Sequence, residues 1–314
     1  MNASGKSYEK VHYEFRPAKQ VERRMILDLL QKLMEAGFRI SSYQYTGLGS
    51  LYFVDFILFR RYLGITRMIS AESSPEVEKR VKFNKPYGSI DIYSGDIADF
   101  IPCLSLDCKH ILWLDYDRII TKETIDAIVL AATQLSPGSL LFVTVDAEPP
   151  IKDGKTKQWR QYFQREARDY LGNIARDRQC ARSRLTSINA SIIEKSIMHG
   201  LAGRSDVRFF PLVNFVYADS HRMLSVGGML GTDDDGDKLK TLSAHKLPFL
   251  RSSIIANPYK IRVPLLTRKE RLHLDGAMPC RSSWRPREFE MKIEDVQIYR
   301  EIYPYFPAYT EMLL

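Results

Sequence analysis

"VRFFPLVNFVYADSHRMLSVGGMLG", Val207–Gly231, is the stretch whose reading decides the fold. Two long apolar segments flank a short polar break at Asp219-Ser220. The first is rich in Val, Phe and Tyr and the second is a largely apolar run, so the stretch predicts an antiparallel hairpin. What precedes it is of a different kind.

Upstream, helical and strand patterns alternate. Residues 1–19 read as irregular. Val21–Phe38 predicts a helix, because Met25, Ile26, Leu29, Leu30 and Leu33 fall on one stripe. Predicted strands follow at Arg39–Tyr45, Ile65–Glu72, Ser89–Asp96, His110–Asp117 and Ser139–Glu148. Between them lie a helix ending at Gly64, a helix opened by Ser74 and Pro75, and a helix over Thr121–Leu135. The segment "FNKPY" (Phe83–Tyr87) reads as helix termination before Pro86. Gln158–Leu171 and Ser187–Leu201 predict two more helices, and "TDDDGDK" (Thr232–Lys238) an exposed loop.

The strands are nearly continuous apolar runs, as expected when helices cover both faces of a parallel sheet. Five βα alternations closed by a hairpin predict an α/β, Rossmann-like, doubly wound and mostly parallel sheet with an antiparallel end. Residues 1–234 form that domain in this reading, with a helical insert at about 155–202; residues 235–314 form an extension packed on it. The extension carries a predicted strand, "KIRVPLLT", a helix capped by Thr267 with Glu270, and an aromatic tail, "IYPYFPAY". The tail is expected to pack on the domain or to contact a second copy of the chain.

With 314 residues, 45% hydrophobic, the chain can bury a large core. The formal charge of +8 favours an anionic partner only weakly over this length. Four cysteines in no CxxC pair exclude a structural zinc finger. Few cysteines, a polar start and no apolar run near ~18 residues predict a cytoplasmic protein without a membrane span.

In such a sheet, ligands bind where the strands end. After strand one come Thr46-Gly47-Leu48-Gly49-Ser50, where glycines permit a sharp turn and a close backbone approach. After strand two comes Glu72, able to accept hydrogen bonds from both hydroxyls of a ribose. After strand three comes "SGDIADF", where Asp96 would accept from an adenine amino group with Ile97 against the ring. Their order, one at each consecutive strand mouth, points to a nucleotide-type cofactor.

The five βα units, "TGLGS", Glu72, "SGDIADF", "WLDYD" and the terminal hairpin together resemble a class I S-adenosylmethionine-dependent methyltransferase over residues 20–231. The resemblance implies a seven-stranded sheet and S-adenosylmethionine as cofactor, contacted by Gly47, Gly49, Ser50, Glu72, Asp96 and Ile97. Two positions depart from the pattern. Tyr45 stands where an acidic residue often precedes the first glycine, and Leu51 where a third glycine is frequent. In the family that acidic residue and the open loop help hold the cofactor's amino-acid end; Asp55 or Ser50 would substitute here.

The acceptor side is expected at "WLDYDR" (Trp113–Arg118) and "VDAE", where strands four and five end. Asp115 and Asp117 are the candidate catalytic residues. Asp115, Asp146 and Glu148 would bind Mg²⁺, as hard oxygen ligands do, in an arrangement similar to the catechol-type O-methyltransferases. Alternatively one Asp serves as general base without a metal, or the carboxylates only cap loops and pair with Arg118. The motif lacks an amide beside an aromatic–proline pair, which favours methyl transfer to oxygen over nitrogen.

Arg16 and Lys19 enter the first helix beside the cofactor mouth and would meet an anionic substrate. The Lys155–Arg184 segment interleaves nine Lys and Arg, among them Arg160, Arg165 and Arg168, with Trp159, Tyr162, Phe163 and Tyr170. It reads either as a nucleic-acid face or as a helix with aromatics in the core and arginines in water. The acceptor is therefore expected to be a small hydroxylated molecule or a nucleic acid. Two rival readings retain the fold without methyl transfer: a scaffold that binds nucleic acid or a protein partner, and a metal-dependent nucleotide hydrolase.

Overall fold

A computed structural model of the chain describes residues 16–49, 51–172, 177–242 and 247–307. Ser50 and the last seven residues of the chain, among them Ala308 and Tyr309 of the aromatic tail, lie outside the described residues. Eight strands form one sheet in the order β3-β2-β1-β4-β5-β7-β6-β8. The strands are β1 (Gln44–Leu48), β2 (Arg67–Glu72), β3 (Ile90–Ser94), β4 (His110–Ile119), β5 (Ser139–Asp146), β6 (Arg208–Ala218), β7 (Arg222–Gly231) and β8 (Tyr259–Lys260). Strands β1 to β5 pair in parallel, and β7 runs antiparallel to both β5 and β6. The expected doubly wound sheet with its hairpin is therefore present. The eighth strand is an addition from the C-terminal extension, pairing in parallel with β6 at Phe215 and Val216.

Strand β4 shows why the apolar runs are continuous. Ile111 and Trp113 face one core, with Met25 and Ile26 of helix α1 (Pro17–Glu35) and Phe56 of helix α2 (Val54–Leu63). Leu112 and Leu114 face the other, with Ile128 of α5 (Lys122–Gln134) and Ile192 and Ile193 of α7 (Leu185–Leu201). Side chains alternate across a strand, so two covered faces require an apolar residue at every position. Helices α3 (Glu78–Asn84), α4 (Ile97–Phe100) and α6 (Thr156–Glu166) complete the layers.

Several boundaries differ from expectation. Strand β1 starts at Gln44, because Ile40–Ser42 forms a 3₁₀ turn in which Ser42 Oγ donates to the Arg39 carbonyl at 2.7 Å. Gly47 therefore lies within the strand, paired with Ser70 and Trp113. Helix α3 opens at Glu78, not at Pro75, because the Ser74 amide donates to the Glu72 carboxylate at 2.8 Å. Residues 233–239 are a helix, α8 (Asp233–Leu239), where a loop was expected. Thr232 and Asp235 make a reciprocal capping box, and three acids sit at the positive end of the helix dipole. The Ile261 amide still donates to the Val216 carbonyl at 3.0 Å; beyond it the segment leaves the ladder, and Pro264 has no N–H to rejoin it.

Residues beyond α8 pack on the core that α1 shares. Phe215 meets Phe249 and Tyr259 at ring separations of 5.6 and 6.2 Å, and Tyr305 donates to Asp28 of α1 at 2.6 Å. Helices α9 (Arg268–Ala277, with the Thr267–Glu270 box expected) and α10 (Ile293–Ile302) lie in this part. Among the described residues no helix is long and apolar enough to cross a membrane.

Helix α1 has no N-cap of its own; Arg16 occupies the position. Its free amides are met from the far end of the chain. Asp219, in the β6–β7 turn, accepts from the amides of Ala18 and Lys19 at 2.9 and 3.2 Å and approaches Arg16 Nε at 3.7 Å. The hairpin tip thus fixes where α1 begins. Asp219→Ala is expected to cost about 1 kcal/mol, the usual worth of an N-cap, in urea melts followed by circular dichroism.

Candidate functional site

The sheet order reverses between β1 and β4, and their pairing ends at Gly47 and Trp113. In sheets of this kind ligands bind beyond such a point, in the crevice between the two strand ends. Asp115 lies past it on β4 and is bonded to Lys19 in the N-terminal part of α1.

The turn from β1 carries no open glycine loop. The Tyr45 hydroxyl donates to Asp55 Oδ2 of α2. A Cβ on Gly47 would lie 2.6 Å from the Tyr45 hydroxyl oxygen and 3.4 Å from Asp55 Oδ2, so the glycine makes room for that pair. Burial raises the Asp55 pKa, against the Arg23 charge and the Tyr45 hydrogen bond that lower it. Gly49 serves the next strand. Its amide donates to the Ala71 carbonyl, and a Cβ there would lie 2.8 Å from both that oxygen and Glu72 Oε2. Only glycine lets the end of β1 lie against the Glu72 carboxylate. Phe53, buried at φ 48°, holds the entry to α2 in the left-handed region, a strained choice for an aromatic residue.

Glu72 is half-buried, and burial raises its pKa despite the Ser74 and Ser73 amides. Asp96 is exposed and caps α4, accepting from Ala98 N at 2.8 Å. Ile97 is buried in the core. The mouths of β1 to β3 thus present Gly49, Glu72 and Asp96 in succession, and the two carboxylates are acceptors of the kind to which ribose hydroxyls and an adenine amino group donate.

On the other side of the crevice stands a buried charge cluster. Lys19 is 1% exposed and Glu22 is fully buried. Lys19 Nζ donates to Asp115 Oδ1 at 2.7 Å and to the Tyr217 hydroxyl at 3.2 Å, pairs with Glu22 Oε2 at 2.7 Å, and sits 4.7 Å from the Trp113 ring centroid. Asp115 and Tyr217 accept its hydrogen bonds, while Glu22 meets it as an ion pair, its carboxylate oxygens having no hydrogen-bond partner among the described residues. Burial alone would raise the Asp115 pKa; the Lys19 charge and hydrogen bond, with Arg23 and Arg16 behind them, outweigh it and hold the carboxyl below its ordinary value. Glu22 goes the other way: burial raises it and Lys19 only partly compensates.

Other expected residues are placed differently. Asp117 is exposed, two residues further along β4. Asp115, Asp146 and Glu148 were expected to share Mg²⁺, but among the described residues no three His, Cys, Asp or Glu side chains converge on a metal position. Each has a protein partner instead: Asp115 has Lys19, Asp146 accepts from the Glu148 amide and faces His221 at 3.4 Å, and Glu148 pairs with Arg182. The residues do not fit a metal. Lys19 faces carboxylates rather than solvent. On α6, Trp159 and Phe163 are buried while Arg165 is exposed and paired with Glu166; Arg168, just past the helix, is exposed, and Arg160 is half-buried. Those two aromatics belong to the core and offer no face for base stacking.

Glu22, Arg23, Tyr217 and Asp219 were not anticipated. A signal existed for two of them. Stepping back from Met25 and Ile26 by helical spacing, the apolar stripe of α1 runs into Lys19, Glu22 and Arg23. Charged residues on a buried stripe mark a site or a structural ion pair.

The search of curated proteins returned no match. Among solved structures, Trm1 from Pyrococcus horikoshii, in complex with S-adenosyl-L-methionine, is 14% identical over 85% of this chain and 73% of its own, with TM-score 0.47. The O-methyltransferase TomG from Streptomyces achromogenes is 14% identical over 65% and 79%, with TM-score 0.36. A "putative O-methyltransferase" from Klebsiella pneumoniae is 12% identical over 66% and 79%, with TM-score 0.37. These likenesses are too distant to speak for residues or substrates. The family model does cover the chain: described as "Putative O-methyltransferase", it matches residues 11–314. With the match spanning nearly the whole sequence, the chain belongs to that family, within the class I S-adenosylmethionine-dependent methyltransferases.

Proposed function

We propose that the protein transfers a methyl group from S-adenosylmethionine to a hydroxyl oxygen of a small molecule. The observation that carries this reading is the Asp115 carboxylate, held ionised by Lys19 beside the β1–β4 crevice. The bound cofactor would supply an electrophilic methyl on a sulfonium centre. Glu72 would accept from its ribose hydroxyls and Asp96 from its adenine amino group.

Asp115 would accept a hydrogen bond from the acceptor hydroxyl and align an oxygen lone pair with the methyl carbon. Because Lys19 lowers its pKa, Asp115 is a weak store for the proton. Its part is alignment and stabilisation of the positive charge that grows on the attacking oxygen. The proton goes on to water. No amide stands beside an aromatic at this position, which supports oxygen over nitrogen. The burial of Trp159 and Phe163 supports a small acceptor over a nucleic acid.

Calorimetric titration with S-adenosylmethionine tests the cofactor. Micromolar binding is expected, weakened roughly tenfold or more by Glu72→Ala, the worth of a charge-assisted hydrogen bond. Incubation with isotope-labelled donor and fractionated cell extract tests the acceptor. Label is expected in the small-molecule fraction, at an NMR shift typical of O–CH₃. Failure to bind the cofactor would leave the scaffold reading in its place; label confined to RNA would replace the acceptor class.

A further inference from the structure

Helix α1 brings one more charged residue to the crevice. Arg23 follows Lys19 by one helical turn and is 3% exposed. Its Nε and Nη1 are buried and have no hydrogen-bond partner among the described residues. Two orphaned donors on one buried cation are costly, and each is normally matched in the functional state. Arg23 lies one helical turn from Lys19, which donates to Asp115, and its charge is felt at both Asp115 and Asp55. Strand β1 lacks the acidic residue that the family pattern puts at position 45, and Tyr45 there donates to Asp55 Oδ2.

A buried guanidinium with unmet donors and a carboxylate near enough to feel its charge are the complement of an α-amino acid zwitterion. We propose that Arg23 receives the carboxylate of the cofactor's methionyl end while Asp55 receives its ammonium. Helix α1, not strand β1, then reads that end of the cofactor. This rests on the methyltransferase reading above and deepens it. It also gives Tyr45 a role: its hydroxyl fixes the Asp55 rotamer, with Gly47 making room. Cofactor binding is in consequence tied to the docking of α1, and through Asp219 to the hairpin tip.

The test uses two probes on the full chain, S-adenosylhomocysteine and its carboxamide, in which the carboxylate is replaced by a neutral amide and the ammonium is kept. Calorimetry should show wild type binding the carboxamide about 10–100-fold more weakly, the worth of a charge-assisted, bidentate contact. In Arg23→Gln the two probes should bind within roughly threefold of each other, with affinity for the carboxamide little changed. Arg23→Lys should recover part of the discrimination. The wild-type comparison needs no folded variant: equal affinity for the two probes overturns the assignment of Arg23 outright. Undiminished discrimination in Arg23→Gln overturns it as well. If wild type binds neither probe, the methyltransferase reading fails and takes this assignment with it.

Discussion

Asp115→Asn is expected to lower the rate of methyl transfer by about 10²–10³-fold, the worth of one electrostatic stabilising group, while leaving cofactor affinity within a few-fold of wild type. The substitution keeps size and shape. The asparagine oxygen still faces Lys19, but the group turned to the acceptor becomes an N–H donor, unable to take the hydroxyl's hydrogen bond. The measurement is label transfer from donor into the responsive extract fraction, beside calorimetry of S-adenosylmethionine. A rate within about threefold of wild type would remove Asp115 from the reaction, since even a modest positioning role is worth more.

The pH dependence follows from the same pair. The native pKa of Asp115 is lowered, so the ionised, competent form persists above that value and is lost only as pH falls through it. No acid limb from Asp115 is therefore expected between about pH 5 and 8. Asp117, exposed and outside the cluster, should tolerate conversion to Asn without a comparable loss.

Lys19→Met should be the most destabilising single change, by about 3–5 kcal/mol, because it strands two carboxylates around an apolar side chain. Glu22 is fully buried and depends on Lys19 as its compensating charge. Its native pKa is already raised by burial and would rise further. An acid with a raised native pKa binds more protons folded than unfolded, so stability falls as pH climbs through the window above its ordinary value. The deficit of Lys19→Met should accordingly deepen from pH 5 to pH 8 in urea melts. Adding Glu22→Gln should recover a substantial part of it, since the stranded charge is gone. A pH-independent deficit would mean that Lys19 contributes packing against Trp113 and Tyr217 rather than charge.

Most of the sheet was legible because strands and helices announce themselves over a few residues. The apolar runs of β4 and β5, the Gly64 stop and the Asp219-Ser220 break are local signals, and they fixed the class of fold. Where local chemistry was misjudged, the errors were local too. The acids at 233–235 favour a capped helix start as readily as a loop, and Gly47 reads as a turn until Tyr45 is seen to fill its space. The placement of Glu72 and Asp96 at successive strand ends also follows from the alternation alone.

The charge network was another matter. Lys19 and Asp115 are 96 residues apart, and Lys19 and Tyr217 are 198. The cap that Asp219 supplies to α1 spans 201. No periodicity within a window of residues encodes such pairs; they arise from the strand order, which sets β4 beside β1 and swings the hairpin tip over the start of α1. By itself the sequence determined a doubly wound sheet with acidic groups at its mouths, because backbone pattern and burial are short-range. Only the tertiary structure decided which of those acids is held ionised, which is spent on a loop, and that the buried Arg23 has two donors unmet among the described residues, because the field at a buried charge is set by whatever the fold brings within a few ångströms.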